Sequence, residues 1–84
     1  MTLNAFSFAI VALALEVPFS VTSWIRTPAR NSAVGGHPDS FHMCALAVDV
    51  ALDNSQDVEK LKRRCSRFGL KALDEGDHIH IQPA

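Results

Sequence analysis

Hydrophobic positions change their period along this chain, and each change predicts a different element. Residues 5–15 are almost continuously apolar, which suits a helix over about residues 4–15, capped by Asn4 and packed between a sheet and another element. Pro18 stops that helix and can open a strand. From Phe19 to Ile25 the pattern alternates, with Phe19 and Val21 against Ser20 and Thr22, the two-residue period of a half-buried strand. Residues 27–39 contain Pro28, Gly35, Gly36 and Pro38 and read as a loop. In the next strand, over 46–52, Leu46, Val48, Val50 and Leu52 share one face while Ala47, Asp49 and Ala51 share the other, so Asp49 lies among small residues on the open side.

Val58, Leu61, Cys65 and Phe68 then recur at three- and four-residue steps, predicting a second helix from Asn54 or Ser55 to about Phe68, with Gly69 as its C-cap. Asp57 and Glu59 precede Lys62, Arg63, Arg64 and Arg67, the order that the helix dipole favours. This basic run reads as a solvated helix face, with a polymer-binding patch as the alternative. Residues 70–73 and 78–82 are short strands joined by Asp74-Glu75-Gly76-Asp77, a hairpin signal. The sum is an α+β fold in which two main helices cover one face of a small, mainly antiparallel sheet.

Composition narrows the function classes. The 84 residues read as one domain, 1–84, whose small core would gain from a bound metal. A hydrophobic content of 48%, a charged content of 20% and a net charge of −1 give no electrostatic case for nucleic acid. The first apolar run is shorter than the roughly 20 residues of a membrane span. No Lys or Arg precedes Arg26, so the basic start of a secretory signal is missing, although Ala12-Leu13-Ala14 has the small residues of a cleavage site. A soluble monomer is expected. Cys44 and Cys65 are too few for a disulfide framework and read as buried free thiols, with one bridge as the alternative.

The chemistry-bearing residues gather in two short segments, Ser40-Phe41-His42-Met43-Cys44-Ala45-Leu46-Ala47-Val48-Asp49 and Asp77-His78-Ile79-His80. His42, Asp49 and His80 supply two imidazoles and one carboxylate, a ligand set that suits a single zinc ion with an open fourth position. Strand parity puts His78, His80 and Gln82 on one face and Ile79 and Ile81 on the other. His42 and Asp49 are seven positions apart, so on one straight strand they would point apart, and a bend near Met43–Ala45 is required. Ordinary strand-end polar residues are the alternative reading of the same spacing. A closed zinc site built on the cysteines is disfavoured because Cys44 shares parity with Leu46 rather than with Asp49.

In combination, Ser40-x-His42, Asp49 and Asp77-His78-x-His80, preceded by Ser23-Trp24-Ile25-Arg26-Thr27-Pro28 and Asn31-Ser32-Ala33-Val34-Gly35-Gly36, resemble the zinc D-alanyl-D-alanine carboxypeptidases and L-alanyl-D-glutamate endopeptidases. These are peptidoglycan peptidases related to the Hedgehog domain, and the similarity is to compact phage-endolysin-like or bacterial single-domain forms. It runs from about Pro18 to Ile81. The resemblance implies zinc on His42, Asp49 and His80 on the open face of a Hedgehog/DD-peptidase-like sheet. Asp77 takes the place of the acidic residue that removes a proton from the attacking water and returns it to the leaving amine. His78 would assist, Arg26 would stabilise the developing oxyanion, and Arg26 and Ser40 would contact substrate. For Asp77 the alternative is a turn carboxylate, for Arg26 a surface ion pair, and for Ser40 a turn hydroxyl. His37 reads as solvent-exposed without a role. Ala45 stands where the family has glycine. The expected partner is a peptidoglycan peptide, and the chain would be phage-encoded and host-cytoplasmic before lysis, or exported by another route. A noncatalytic zinc-stabilised binding module of the same fold is the alternative.

Overall fold

The computed structural model describes residues 1–36 and 41–84, with only the backbone for Met43 and Cys44. Helix α1 spans Leu3–Glu16, and its cap is Thr2, whose hydroxyl accepts a 3.1 Å bond from the Ala5 N–H. Asn4, the expected cap, lies one residue inside the helix. Phe6, Ala9, Ile10 and Leu13 form its buried stripe. Its other side carries Phe8, 81% exposed, and Leu15, 84% exposed, so α1 lies on the core instead of being enclosed between two layers. Among the described residues, no helix is long and apolar enough to cross a membrane.

Strands β1 (Phe19–Ser23), β2 (Val48–Leu52), β3 (Leu70–Asp74) and β4 (Ile79–Pro83) form a sheet in the order β1-β2-β4-β3. Every pairing is antiparallel, as the alternating patterns predict. The β1–β2 register slips between Val21 and Ser23, an extra residue that bends the strand and increases its twist. The Thr22 hydroxyl donates to the Asp49 carbonyl at 3.1 Å across this irregularity. The predicted strand over 19–25 therefore ends at Ser23, and Trp24 to Arg26 lead away from the ladder.

The predicted loop over 27–39 contains a helix, α2 (Pro28–Ala33). Thr27 caps it by accepting a 3.2 Å bond from the Arg30 N–H, and Pro28 occupies the first helical turn, where it has no hydrogen bond to lose. Reading Pro28 as a breaker missed this Thr-Pro start. A 3₁₀ turn over Phe41–Cys44 leads to β2. A second over Ser55–Asp57, capped by Asn54, leads to α3 (Val58–Arg67), and Gly69 follows α3 at φ +71°, a left-handed conformation that glycine adopts without a Cβ penalty.

One face of the sheet carries Val48, Val50, Ile79 and Ile81, which pack with Phe6, Ile10 and Leu13 of α1 and Leu61 and Cys65 of α3. Full burial of each large aliphatic or aromatic side chain contributes roughly 1.5–3 kcal/mol. Helices on one face leave the opposite face of β2 and β4 free for polar chemistry. The hydrophobic period thus sets the position of the site.

Cys65 is a free thiol, fully buried in the core. Burial disfavours its thiolate and pushes the pKa from 9.0 up to about 11. The folded state therefore holds this proton more tightly than the unfolded chain. The associated stability is complete below pH 9.0 and is lost as pH rises through about 11. Urea unfolding measured across that window is expected to show the decline, and Cys65→Ala is expected to flatten it. An equally steep decline in the variant would assign it to other groups.

Candidate metal centre

Asp49 is the second residue of β2, on the face away from α1 and α3, and only 6% exposed. Its cross-strand partner in β4 is His80, so ladder register alone brings the carboxylate and one imidazole together. His42 arrives from the 3₁₀ turn. The chain bends at Ala45, φ +63°, and this bend reverses the parity that would have sent His42 to the other face. The Leu46 N–H bonds to the Phe41 carbonyl at 2.9 Å, and the Trp24 indole N–H donates to the Ala45 carbonyl at 2.8 Å. These bonds hold the bend closed.

Asp49 is the common partner. One carboxylate oxygen, Oδ1, lies 3.1 Å from His42 Nε2 and 3.2 Å from His80 Nδ1, while Oδ2 accepts from Arg26 Nη2 at 3.2 Å. The outer nitrogens of both rings have partners: His42 Nδ1 lies 2.7 Å from the Trp24 carbonyl and His80 Nε2 lies 2.7 Å from Gln82 Oε1. In the tautomers whose outer N–H donates to these oxygens, the inner nitrogen of each neutral ring presents a lone pair. Two imidazole lone pairs and a carboxylate oxygen therefore converge. Such lone pairs repel unless a cation lies among them, and potential ligand atoms from the three residues lie within 4.8 Å of one another. Imidazole nitrogen and carboxylate oxygen are ligands that zinc accepts.

Arg26 is fixed from several sides. Its N–H donates to the His42 carbonyl at 3.1 Å, its Nη1 donates to Asn31 Oδ1 at 3.2 Å, and its Nη2 holds Asp49. Asn31 is buried in α2. Gly36 approaches it so closely that a Cβ there would stand 2.1 Å from Asn31 Oδ1, so a larger residue would have to push the Asn31 amide aside. The helix missed in the sequence therefore supplies the support of the arginine.

His78 stands at the edge of the centre, with Nε2 3.9 Å from both Asp49 Oδ1 and Glu75 Oε2. Its Nδ1 meets Asp77 Oδ1 at 2.6 Å. This hydrogen bond raises the pKa of His78 above its ordinary value and lowers that of Asp77. The Asp77 carboxylate is 90% exposed. A concavity of about 480 Å³ has Arg26, His42, Asp49, Glu75, His78 and His80 among its lining residues; Asp77 reaches it through His78. Ser40 and His37 lie outside the described residues, as does the Cys44 thiol.

Sequence reading gave no role to the Trp24 carbonyl, Asn31, Glu75 or Gln82. Gln82 left a signal in sharing the strand face of His80, and Trp24 and Asn31 lie in the two upstream segments that carry the family resemblance. Ala45 is explained in turn: its left-handed backbone costs an L-residue about 1–2 kcal/mol, which glycine avoids. Ala45→Gly is expected to stabilise the fold by up to about 1 kcal/mol after the larger unfolded-state entropy of glycine is counted. Urea unfolding checks this, and a loss of stability would show that the Ala45 methyl contributes more than the strain costs.

A family model described as Peptidase M15 matches residues 3–82, a span that contains the whole donor set and the segments that hold it. No curated protein and no solved structure matches the chain. With a carboxylate and two imidazoles converging at the heart of the matched region, the chain belongs to the Peptidase M15 family, the family of zinc D-alanyl-D-alanine carboxypeptidases.

Proposed function

We propose that this chain is a zinc peptidase that hydrolyses peptide bonds in the stem peptides of peptidoglycan, of the D-alanyl-D-alanine carboxypeptidase or L-alanyl-D-glutamate endopeptidase type. The observation that carries the proposal is the convergence of two imidazole nitrogens on one oxygen of Asp49, each ring tied on its outer side to a carbonyl oxygen. His42, Asp49 and His80 would hold the ion. Bound there, zinc supplies Lewis acidity that activates water near neutral pH and polarises a carbonyl.

The protein's own residues handle orientation and protons. Asp49 shares its charge between the guanidinium of Arg26 and the metal-facing side, so Arg26 stays fixed at the wall of the concavity. A guanidinium placed there stabilises negative charge that develops on a scissile carbonyl oxygen. Asp77 and His78 act as one proton-handling unit. Asp77 grips Nδ1 and leaves Nε2 facing the concavity, so a proton taken from water can pass to the leaving amine at that edge. In the neutral ring Nε2 accepts that proton, and the raised pKa of His78 makes it the stronger base until the proton passes to the amine.

A second reading, a noncatalytic zinc-stabilised binding module, is supported by one observation: the Asp77 carboxylate is exposed and not on the concavity wall. Digestion of purified peptidoglycan by zinc-loaded protein, with mass analysis of the released peptides, separates the two readings and distinguishes a freed D-alanine from a break between L-alanine and D-glutamate. Asp77→Asn and His78→Asn are each expected to keep zinc, measured by metal analysis, while losing at least about 10²-fold in turnover. Full turnover in Asp77→Asn with loss only in His78→Asn would make His78 the sole proton carrier. No product from the zinc-loaded parent on any wall peptide would favour the binding module.

A further inference from the structure

We propose that Gln82 is a positioning residue that selects the tautomer of His80 and thereby makes Nδ1 the nitrogen offered to a metal. The proposal rests on the metal reading of His42, Asp49 and His80. Gln82 lies two positions beyond His80 on the same face of β4, near enough for its amide to meet the outer edge of the ring. Its Oε1 lies 2.7 Å from His80 Nε2. In the neutral ring whose Nε2–H donates to that oxygen, the other nitrogen is bare. That other nitrogen, Nδ1, is the one 3.2 Å from Asp49 Oδ1.

The two histidines need opposite tautomers to serve one centre. His42 presents Nε2 and His80 presents Nδ1. Backbone fixes the first, through the Trp24 carbonyl, and no substitution removes it. A side chain fixes the second. If His80 carried its proton on Nδ1, that proton would bond to Asp49 and occupy the direction that a metal needs. Gln82 opposes that form while its amide turns oxygen, rather than NH2, to the far side of the ring. A glutamate preserves the acceptor, whereas a leucine preserves bulk and removes it.

The test compares parent, Gln82→Glu and Gln82→Leu. Zinc affinity is measured by competition with a chromophoric chelator, and the protonated nitrogen of His80 is read from long-range proton–nitrogen NMR correlations on metal-free protein near neutral pH. The parent and Gln82→Glu are expected to carry the His80 proton on Nε2 and to bind zinc comparably. Gln82→Leu is expected to shift the proton towards Nδ1 and to bind zinc about 10–100-fold more weakly, the usual loss when the outer partner of a ligating histidine is removed. A tautomer and affinity in Gln82→Leu equal to the parent would overturn the proposal and leave the metal centre standing. So would equal weakening in both variants, which would trace the effect to amide shape. A parent without zinc affinity would overturn the metal reading itself.

Discussion

The site is organised around a buried carboxylate that gathers three side chains about its single negative charge. Asp49 faces a guanidinium on one oxygen and two imidazole nitrogens on the other. Burying a charge costs several kcal/mol unless it is paired, so this carboxylate needs its partners in place. Arg26 supplies fixed positive charge. The imidazoles, with their outer nitrogens next to carbonyl oxygens, make the remaining side of Asp49 a candidate place for a cation.

Most local irregularities of the fold serve that arrangement. The slip in the β1–β2 register and the Thr22 bond to the Asp49 backbone turn the chain so that Trp24 and Arg26 approach β2 from beyond the ladder. The left-handed residue at Ala45 brings His42 over the face that strand parity alone would deny it. The close approach of Gly36 to Asn31 seats the residue that steadies Arg26. The first two are departures from regular backbone geometry, and such departures concentrate where a fold must present functional groups.

The β-rich half of the site was legible in the sequence because a two-residue period carries register as well as type. Asp49 and His80 could be placed on one face before any coordinates, and they are direct partners in the β2–β4 ladder. The need for a bend between His42 and Asp49 was also legible, since seven positions is an odd count. Helix α2 was not, because six residues are too few to show a helical period and its Pro and Gly neighbours resemble turn chemistry. The exposed outer side of α1 was misjudged for a related reason: a helix apolar on all sides has no amphipathic direction to indicate which face meets the core. Backbone groups such as the Trp24 carbonyl leave no residue-type signal at all.

Zinc K-edge X-ray absorption on protein loaded with one equivalent of zinc tests the assignment of the metal centre most directly. The expected spectrum has nitrogen and oxygen neighbours at about 2.0–2.1 Å, with outer scattering from two imidazole rings and no sulfur. A sulfur shell at about 2.3 Å, the scattering of a single imidazole, or failure to retain stoichiometric zinc would contradict a centre built on His42, Asp49 and His80.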